Sequence, residues 1–525
     1  MNRKMLAIFI ILSSCSFLLL FEIAVFAENP PQFGDLEPGP YAVGYEVISV
    51  FDYSRTFDTP KYNYKGEFQE GDRARPITLH IWYPAQKSDD NVALPYSEYF
   101  TQPFAVTEGE LSEERQAEII QTTRGIMGPE VEEAKYNEIM ATPTALVKNP
   151  VRQDGEFPLI IIAPGFNQRP SAHTVQGEYL ASHGYIVASS ASQGERGAIT
   201  YNLLGANAQL RDMEFIRGYM YDYEHLDKDK LGVAGFSFGG VASALMMMKN
   251  TDVDAFLSLD SVIGTGGGFG AMFQSPYYHT TDIRAAVMHL WTDPDRGTFN
   301  PNFLNSLTYA NTYIIKLENM RHYDFISFGK ISAMVPGFAP FGGEVRGDAH
   351  LAQTIVNQYA LNFFDAYVKR DKKALTFLGN KPTDNGFPAD VATADIREVE
   401  NPPPGERDVI DMIMNGEIEG AVKIFKRFQD EDPELEIFQE GPMNNLGYQL
   451  VGQQRVDDAL EVFKLNVEAY PDSWNCYDSL AEAYNLKGNT EKAIEFYSIA
   501  LEMNPEDPRI TGILNNLKNS KDSKK

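Results

Sequence analysis

Cysteine is almost missing from this sequence: two occur in 525 residues, Cys15 and Cys476. Cys15 lies in an N-terminal apolar run, so the remainder of the chain holds a single thiol. No internal disulfide can form there, and stability has to come from packing. There is no Cys-x-x-Cys pair and no His-Glu-x-x-His run, so the usual sequence support for a structural or catalytic zinc is absent. Positive charge is also scarce. The 45 Lys and Arg stand against 73 Asp and Glu, a net charge of −28. Nucleic acid and anionic membrane surfaces require basic patches, so both are excluded as main partners, while neutral or zwitterionic substrates fit. Wholesale disorder is excluded by 43% hydrophobic and 12% aromatic residues, enough for a full core.

The N-terminus reads as a targeting segment. Arg3 and Lys4 precede an apolar run from Met5 to Leu20 that continues through Phe26, and Val25-Phe26-Ala27 makes a small-residue cleavage site. A signal peptide over 1–27 is expected, with a periplasmic or secreted chain beyond it. The run is long for that role, and an uncleaved N-terminal anchor is the alternative.

Beyond the leader two patterns follow one another. Over 40–377 apolar runs alternate with amphipathic stretches, the signature of an α/β domain with a mainly parallel sheet. Strands are expected at 45–51, 76–83, 158–163, 185–190, 230–234, 254–259, 284–291 and 311–317. Several are continuously apolar and so buried on both faces. Helices are expected at 171–183, 203–222, 238–249 and 350–369. An acidic, helix-forming insertion at 95–150 and a second long connection at 323–349 are candidate lids. Residues 378–405, with Pro382, Pro388 and Pro402-Pro403-Pro404, read as a linker.

From 406 to 518 the pattern is helical with a 34-residue period. Leu446 aligns with Leu480, Gly447 with Ala481, Ala459 with Ala493, Phe463 with Tyr497 and Pro471 with Pro505. This resembles the tetratricopeptide repeat (TPR), in which small residues stand where two helices touch and proline closes each unit. A degenerate unit fits 406–439 through Ala421, Phe425 and Pro433, and 508–518 would cap the array. The resemblance implies a protein partner for this region.

Chemistry is concentrated in Gly235-Phe236-Ser237-Phe238-Gly239, a G-x-S-x-G motif. Alone the motif is weak. Here a buried strand leads in and the helix-forming 241–248 leads out, the strand–turn–helix context of a nucleophile elbow. A serine of this kind needs a base, and in this fold the acid and then the histidine follow the nucleophile in sequence. Only His279, His289, His322 and His350 follow Ser237. His289 falls inside a strand, His279 stands at the wrong end of one, and His350 opens a helix. His322 follows the last core strand, where the base belongs. For the acid, Asp260 ends the strand after the nucleophile, while Asp293 and Asp295 follow the next one. Either loop could orient an imidazole. This chemistry requires no cofactor and no metal.

Residues 40–330 resemble the plasma-type platelet-activating-factor acetylhydrolases and their bacterial relatives, in the dienelactone-hydrolase-like branch of the α/β hydrolases. The carrying stretches are Tyr41-Ala-Val-Gly-Tyr45, Ile81-Trp-Tyr-Pro-Ala85, Ala163-Pro-Gly-Phe166, Leu180-Ala-Ser-His-Gly-Tyr-Ile-Val187, Gly235 to Gly240 and Leu257-Ser-Leu-Asp260. The resemblance implies an α/β-hydrolase fold and favours Asp260 over Asp295 as the acid. It also implies backbone oxyanion donors at Phe166 and Phe238, and cleavage of carboxylic esters, including short or oxidised acyl chains on phospholipids. Pro164 and Phe236 depart from the family, which often has histidine at both places. His183 in the Ala-Ser-His-Gly turn reads as structural. Two rival functions are a TPR-based adaptor with an inert hydrolase domain, and a prolyl-oligopeptidase-type peptidase. No propeller-like array of short strands precedes the core to support the latter.

Overall fold

The computed structural model describes residue 33 and residues 35–522, apart from 58–60, 63–64, 70–73, 102–110, 128–130, 196, 198, 293–298, 330–347, 400–402 and 432–434. The signal peptide expected at 1–27, the alternative acids Asp293 and Asp295, Pro433 and most of the 323–349 connection lie outside the described residues. Among the described residues no helix is long and apolar enough to cross a membrane.

Two compact units emerge. The first comprises the described residues up to Tyr278 together with Ala286–Leu304 and Thr312–Ile396. Beside a two-stranded sheet of Lys61–Tyr62 and Phe68–Gln69, its main sheet has, in chain order, β1 Ala42–Asp52, β2 Arg75–Ala85, β3 Ala93–Pro95, β4 Pro143–Val147, β5 Phe157–Ala163 and β6 Ile186–Ser190. They continue with β7 Leu226–Phe236, β8 Ala255–Leu259, β9 Ala286–Thr292, β10 Thr312–Leu317 and β11 Ala392–Arg397. All belong to one sheet in the order β11-β10-β9-β8-β7-β5-β6-β2-β1-β4-β3. In the stretch β10-β9-β8-β7-β5-β6-β2-β1 only β2 runs against its neighbours, the other pairings there being parallel, and at the far edge β3 pairs antiparallel with β4. With the β6-β5 inversion, this is the sheet of an α/β hydrolase.

The sequence explains which strands are central. Every residue of β5 (FPLIIIA), β6 and β8 is buried, as continuous β-branched and apolar runs require when helices cover both faces. The expected strands and helices all form, with ends shifted by a few residues at most sites. Helices α1 Glu113–Met127 and α2 Glu133–Met140 belong to the insertion. Around the sheet stand α3 Thr174–Ser182, α4 Leu203–Met220, α5 Gly239–Lys249, α6 Gly266–Phe273 and α7 Ala349–Tyr367. The insertion also supplies β4, which with β3 at its start lengthens one edge of the sheet. Buried Glu178 of α3 ties it down, accepting from the Tyr99 hydroxyl and the Ala145 amide, both at 2.6 Å.

The stretch read as a linker differs from that expectation. Pro382 opens a 3₁₀ turn over Pro382–Asn385, and Ala392–Arg397 joins the sheet beside β10 as strand β11. Pro382 and Pro388, the latter with its carbonyl accepting from Val391 N at 3.3 Å, lie in turns before the strand and leave a proline-free segment able to donate to a ladder.

The second unit comprises His279–Ala285, Asn305–Asn311 and the described residues from Arg397 onward. After Arg397 it is all helical: α8 Glu406–Met414, α9 Ile418–Glu431, α10 Glu440–Gly452, α11 Val456–Ala469, α12 Trp474–Leu486, α13 Thr490–Met503 and α14 Pro508–Asp522. The first helix of each pair begins 34 residues after the last, at Glu406, Glu440 and Trp474, with the final helix at Pro508. Close helix contact explains the small residues. A Cβ on Gly447 would stand 2.4 Å from the Phe463 ring, and Ala459, Ala481 and Ala493 are fully buried.

Candidate active site

Strand β7 ends at Phe236, helix α5 begins at Gly239, and Ser237 occupies the turn between them with φ 53°. A non-glycine residue held there costs about 1–3 kcal/mol and persists only where its surroundings over-determine it. They do so here. The Ser237 amide donates to Leu259 O at 3.1 Å, and its carbonyl accepts from Ser261 Oγ at 2.7 Å and Val262 N at 3.2 Å. The flanking glycines allow close approach. A Cβ at Gly235 would meet Gly239 O at 2.5 Å, and one at Gly239 would meet Ala163 O at 2.2 Å.

Asp260 leaves the end of β8 with φ 38°, its amide donating to Leu290 O of β9 at 2.6 Å. Its Oδ2 lies 2.5 Å from His322 Nδ1, and its Oδ1 accepts from Thr292 N at 3.2 Å. The bond to Nδ1 leaves Nε2 of His322 as the atom for proton transfer. His322 opens a short 3₁₀ turn, His322–Phe325, beyond β10. The Phe236 ring stacks on its imidazole with centroids 4.3 Å apart at 26°.

The histidine turn is anchored by residues that sequence reasoning missed. Arg321 and Asp324 form a buried ion pair at 2.7 Å, and the Arg321 amide also donates to Asp324 Oδ2. Three successive carbonyls beyond His322 accept from glutamine side chains. Gln353 of α7 donates to Asp324 O and Ile326 O at 2.5 and 2.7 Å, and Gln176 of α3 donates to Phe325 O at 2.9 Å. The Arg-x-x-Asp spacing around His322 was a readable signal. The two glutamines had none, being 177 residues apart in sequence.

Ser237 and His322 line one cavity of about 480 Å³, within the range of small-molecule sites. Phe166, Tyr201, Phe236 and Tyr323 supply its aromatic walls, with Val262, Gln168 and Thr265 completing the lining. Phe166 follows β5 in a turn closed by Gln168, whose amide donates to Gly165 O and whose side chain accepts from Gly165 N. Phe238 is the N-cap of α5, so its amide belongs to the electropositive end of that helix. The structure thus brings Ser237, Asp260, His322, Phe166 and Phe238 together beyond the carboxyl ends of the strands.

The other histidines stand elsewhere. His289, buried in β9, pairs through Nδ1 with Ser258 Oγ at 2.7 Å, and burial pulls its pKa down to about 4. His350 lies in the first turn of α7, capped by Asp348. His279 precedes a 3₁₀ turn of the second unit. His183 bonds Tyr179 O through Nδ1 at 2.8 Å. His173 is fully buried behind Phe236, 6.0 Å between ring centroids, and burial lowers its pKa to about 3. No group of three or more His, Cys, Asp or Glu among the described residues could hold a metal ion.

No protein-family model matches the chain, and no curated protein matches it. Among solved structures it is similar to a ferulic acid esterase from Streptomyces cinnamoneus, at 19% identity and a TM-score of 0.46 over 63% of this chain and 92% of that one. A likeness this distant says nothing of substrate, and the α/β-hydrolase assignment rests on the strand order, the elbow turn and the sequence of strands and helices described above.

Proposed function

We propose that this chain is an exported serine hydrolase that cleaves carboxylic esters through Ser237, His322 and Asp260. The observation that carries the reading is the strained Ser237 turn opening on the same cavity as an imidazole whose far nitrogen is bound to a carboxylate. Nε2 of His322 takes the Ser237 proton as Oγ attacks the ester carbonyl, and the amides of Phe166 and Phe238 bind the developing oxyanion. Asp260 holds the imidazole tautomer and stabilises the imidazolium. His322 then protonates the leaving alcohol, and in the second half it activates water to release the acyl group. The elbow strain and the anchored histidine turn keep these groups in place before substrate arrives, so little reorganisation is left for the reaction. Taken by itself, the family resemblance would extend this reading to acyl chains on phospholipids. Hydrolysis of p-nitrophenyl acetate by the purified chain tests it, together with fluorophosphonate labelling mapped to Ser237. Activity retained at wild-type level in Ser237→Ala would refute it.

The 34-residue recurrence of the C-terminal helices supports a second role beside catalysis, a TPR array that binds a protein partner. The rival in which the hydrolase unit is inert and only this array functions is separated by the same probe, since an inert serine does not label.

A further inference from the structure

We infer that the substrate carries an aromatic ring bonded next to the scissile ester group, as an aryl carboxylate or a phenol ester. This deepens the serine-hydrolase reading and rests on it. Phe166 and Tyr201 line the cavity yet remain 41% and 56% exposed. Their rings meet edge-to-face at 5.6 Å, and buried Phe238 supports both, at 5.9 Å from Phe166 and 4.9 Å from Tyr201. The result is a braced aromatic ledge facing the pocket rather than two loose surface side chains. Large apolar rings left in water at a cavity wall suit a partner that covers them.

The ledge has a fixed relation to the chemistry. Phe166 supplies both the proposed oxyanion amide and the ring, so its ring stands within one side-chain length of the reacting carbonyl. A ring attached directly to the carbonyl or to the ester oxygen reaches that ledge. Tyr323, 5.4 Å from His322 between centroids, adds an aromatic surface on the histidine side. A flat ring gains edge or face contacts from these walls and loses fewer rotors on binding than an alkyl chain. The described lining includes no Lys, Arg, Asp or Glu.

The test compares kcat/KM for methyl benzoate and phenyl acetate with methyl heptanoate, hexyl acetate and dihexanoyl phosphatidylcholine, each divided by its rate of alkaline hydrolysis. The aromatic esters are expected to lead by about tenfold, and the variant Tyr201→Leu to lose most of that lead. Leucine keeps the wall apolar, and Phe166 with its amide is untouched. Fluorophosphonate labelling of Ser237 is followed in both proteins. With labelling intact, a lead for the aliphatic esters or the phospholipid overturns the inference, as does an aromatic lead unchanged in Tyr201→Leu. No labelling of the wild-type chain would instead remove the serine-hydrolase reading, and this inference with it.

Discussion

Ser237 and Asp260 share an unusual trait: both are non-glycine residues with positive φ, at the ends of adjacent parallel strands. Each turn aims a side chain over the sheet edge, and hydrogen bonds from the neighbouring strand or loop hold it there. Ser237→Ala should lower kcat by on the order of 10⁶ in an ester assay while the folded state survives, because the reaction loses its nucleophile and no packing. Asp260→Asn should cost about 10⁴, since an amide donating to His322 Nδ1 imposes the wrong tautomer. Gly239→Ala belongs to another class. Its Cβ would strike backbone at Ala163 O and Pro164 O, 2.2 and 2.5 Å away. A thermal melt should show a loss of about 1–3 kcal/mol.

At the scale of elements, the histidine turn is held by two helices through the same chemistry, a buried glutamine donating to a turn carbonyl. Gln353→Leu removes the donor to Asp324 O and Ile326 O and strands both acceptors in the interior. It should reduce kcat by about 10–100-fold with KM little changed, because the imidazole is displaced and the substrate walls are not. Steady-state kinetics separates the two constants. The candidates Ser237 and His322 were legible because motif, chain order and strand ends confine them to a few positions, whereas Asp260 was singled out from Asp293 and Asp295 only by the family resemblance. The clamp was not, since a polar residue on a helix reveals its partner only after that helix has docked. The β11 strand was missed for a related reason: its flanking prolines read as linker, and the neighbour that pairs it, β10, lies 75 residues earlier.

At the scale of the molecule, acid should unfold the protein through its buried histidines. Burial lowers His80 and His173 to about 3 and His289 to about 4. Free imidazoles in the unfolded chain take up protons near pH 6.5, so stability is lost as pH falls from about 6.5 toward 4. Glu178 acts with the opposite sign. Burial pushes its pKa up to about 8, and stability should decline as pH rises from about 4.5 through 8, where the unfolded carboxyl is ionised and the native one resists ionisation. Melting temperatures across pH 4–9 check both, and Glu178→Gln should flatten the alkaline limb.

The sequence alone determined the order of the core strands and helices, the serine turn with its candidate histidine, and the 34-residue period of the C-terminal helices. These follow from local periodicity and from a motif whose parts are adjacent in the chain or confined to strand ends. Tertiary structure decided which aromatic rings face the cavity, which glutamines grip the histidine turn and that a proline-flanked segment completes the sheet. Each of those depends on residues far apart in sequence meeting once the core has packed, and no one-dimensional pattern encodes such a meeting.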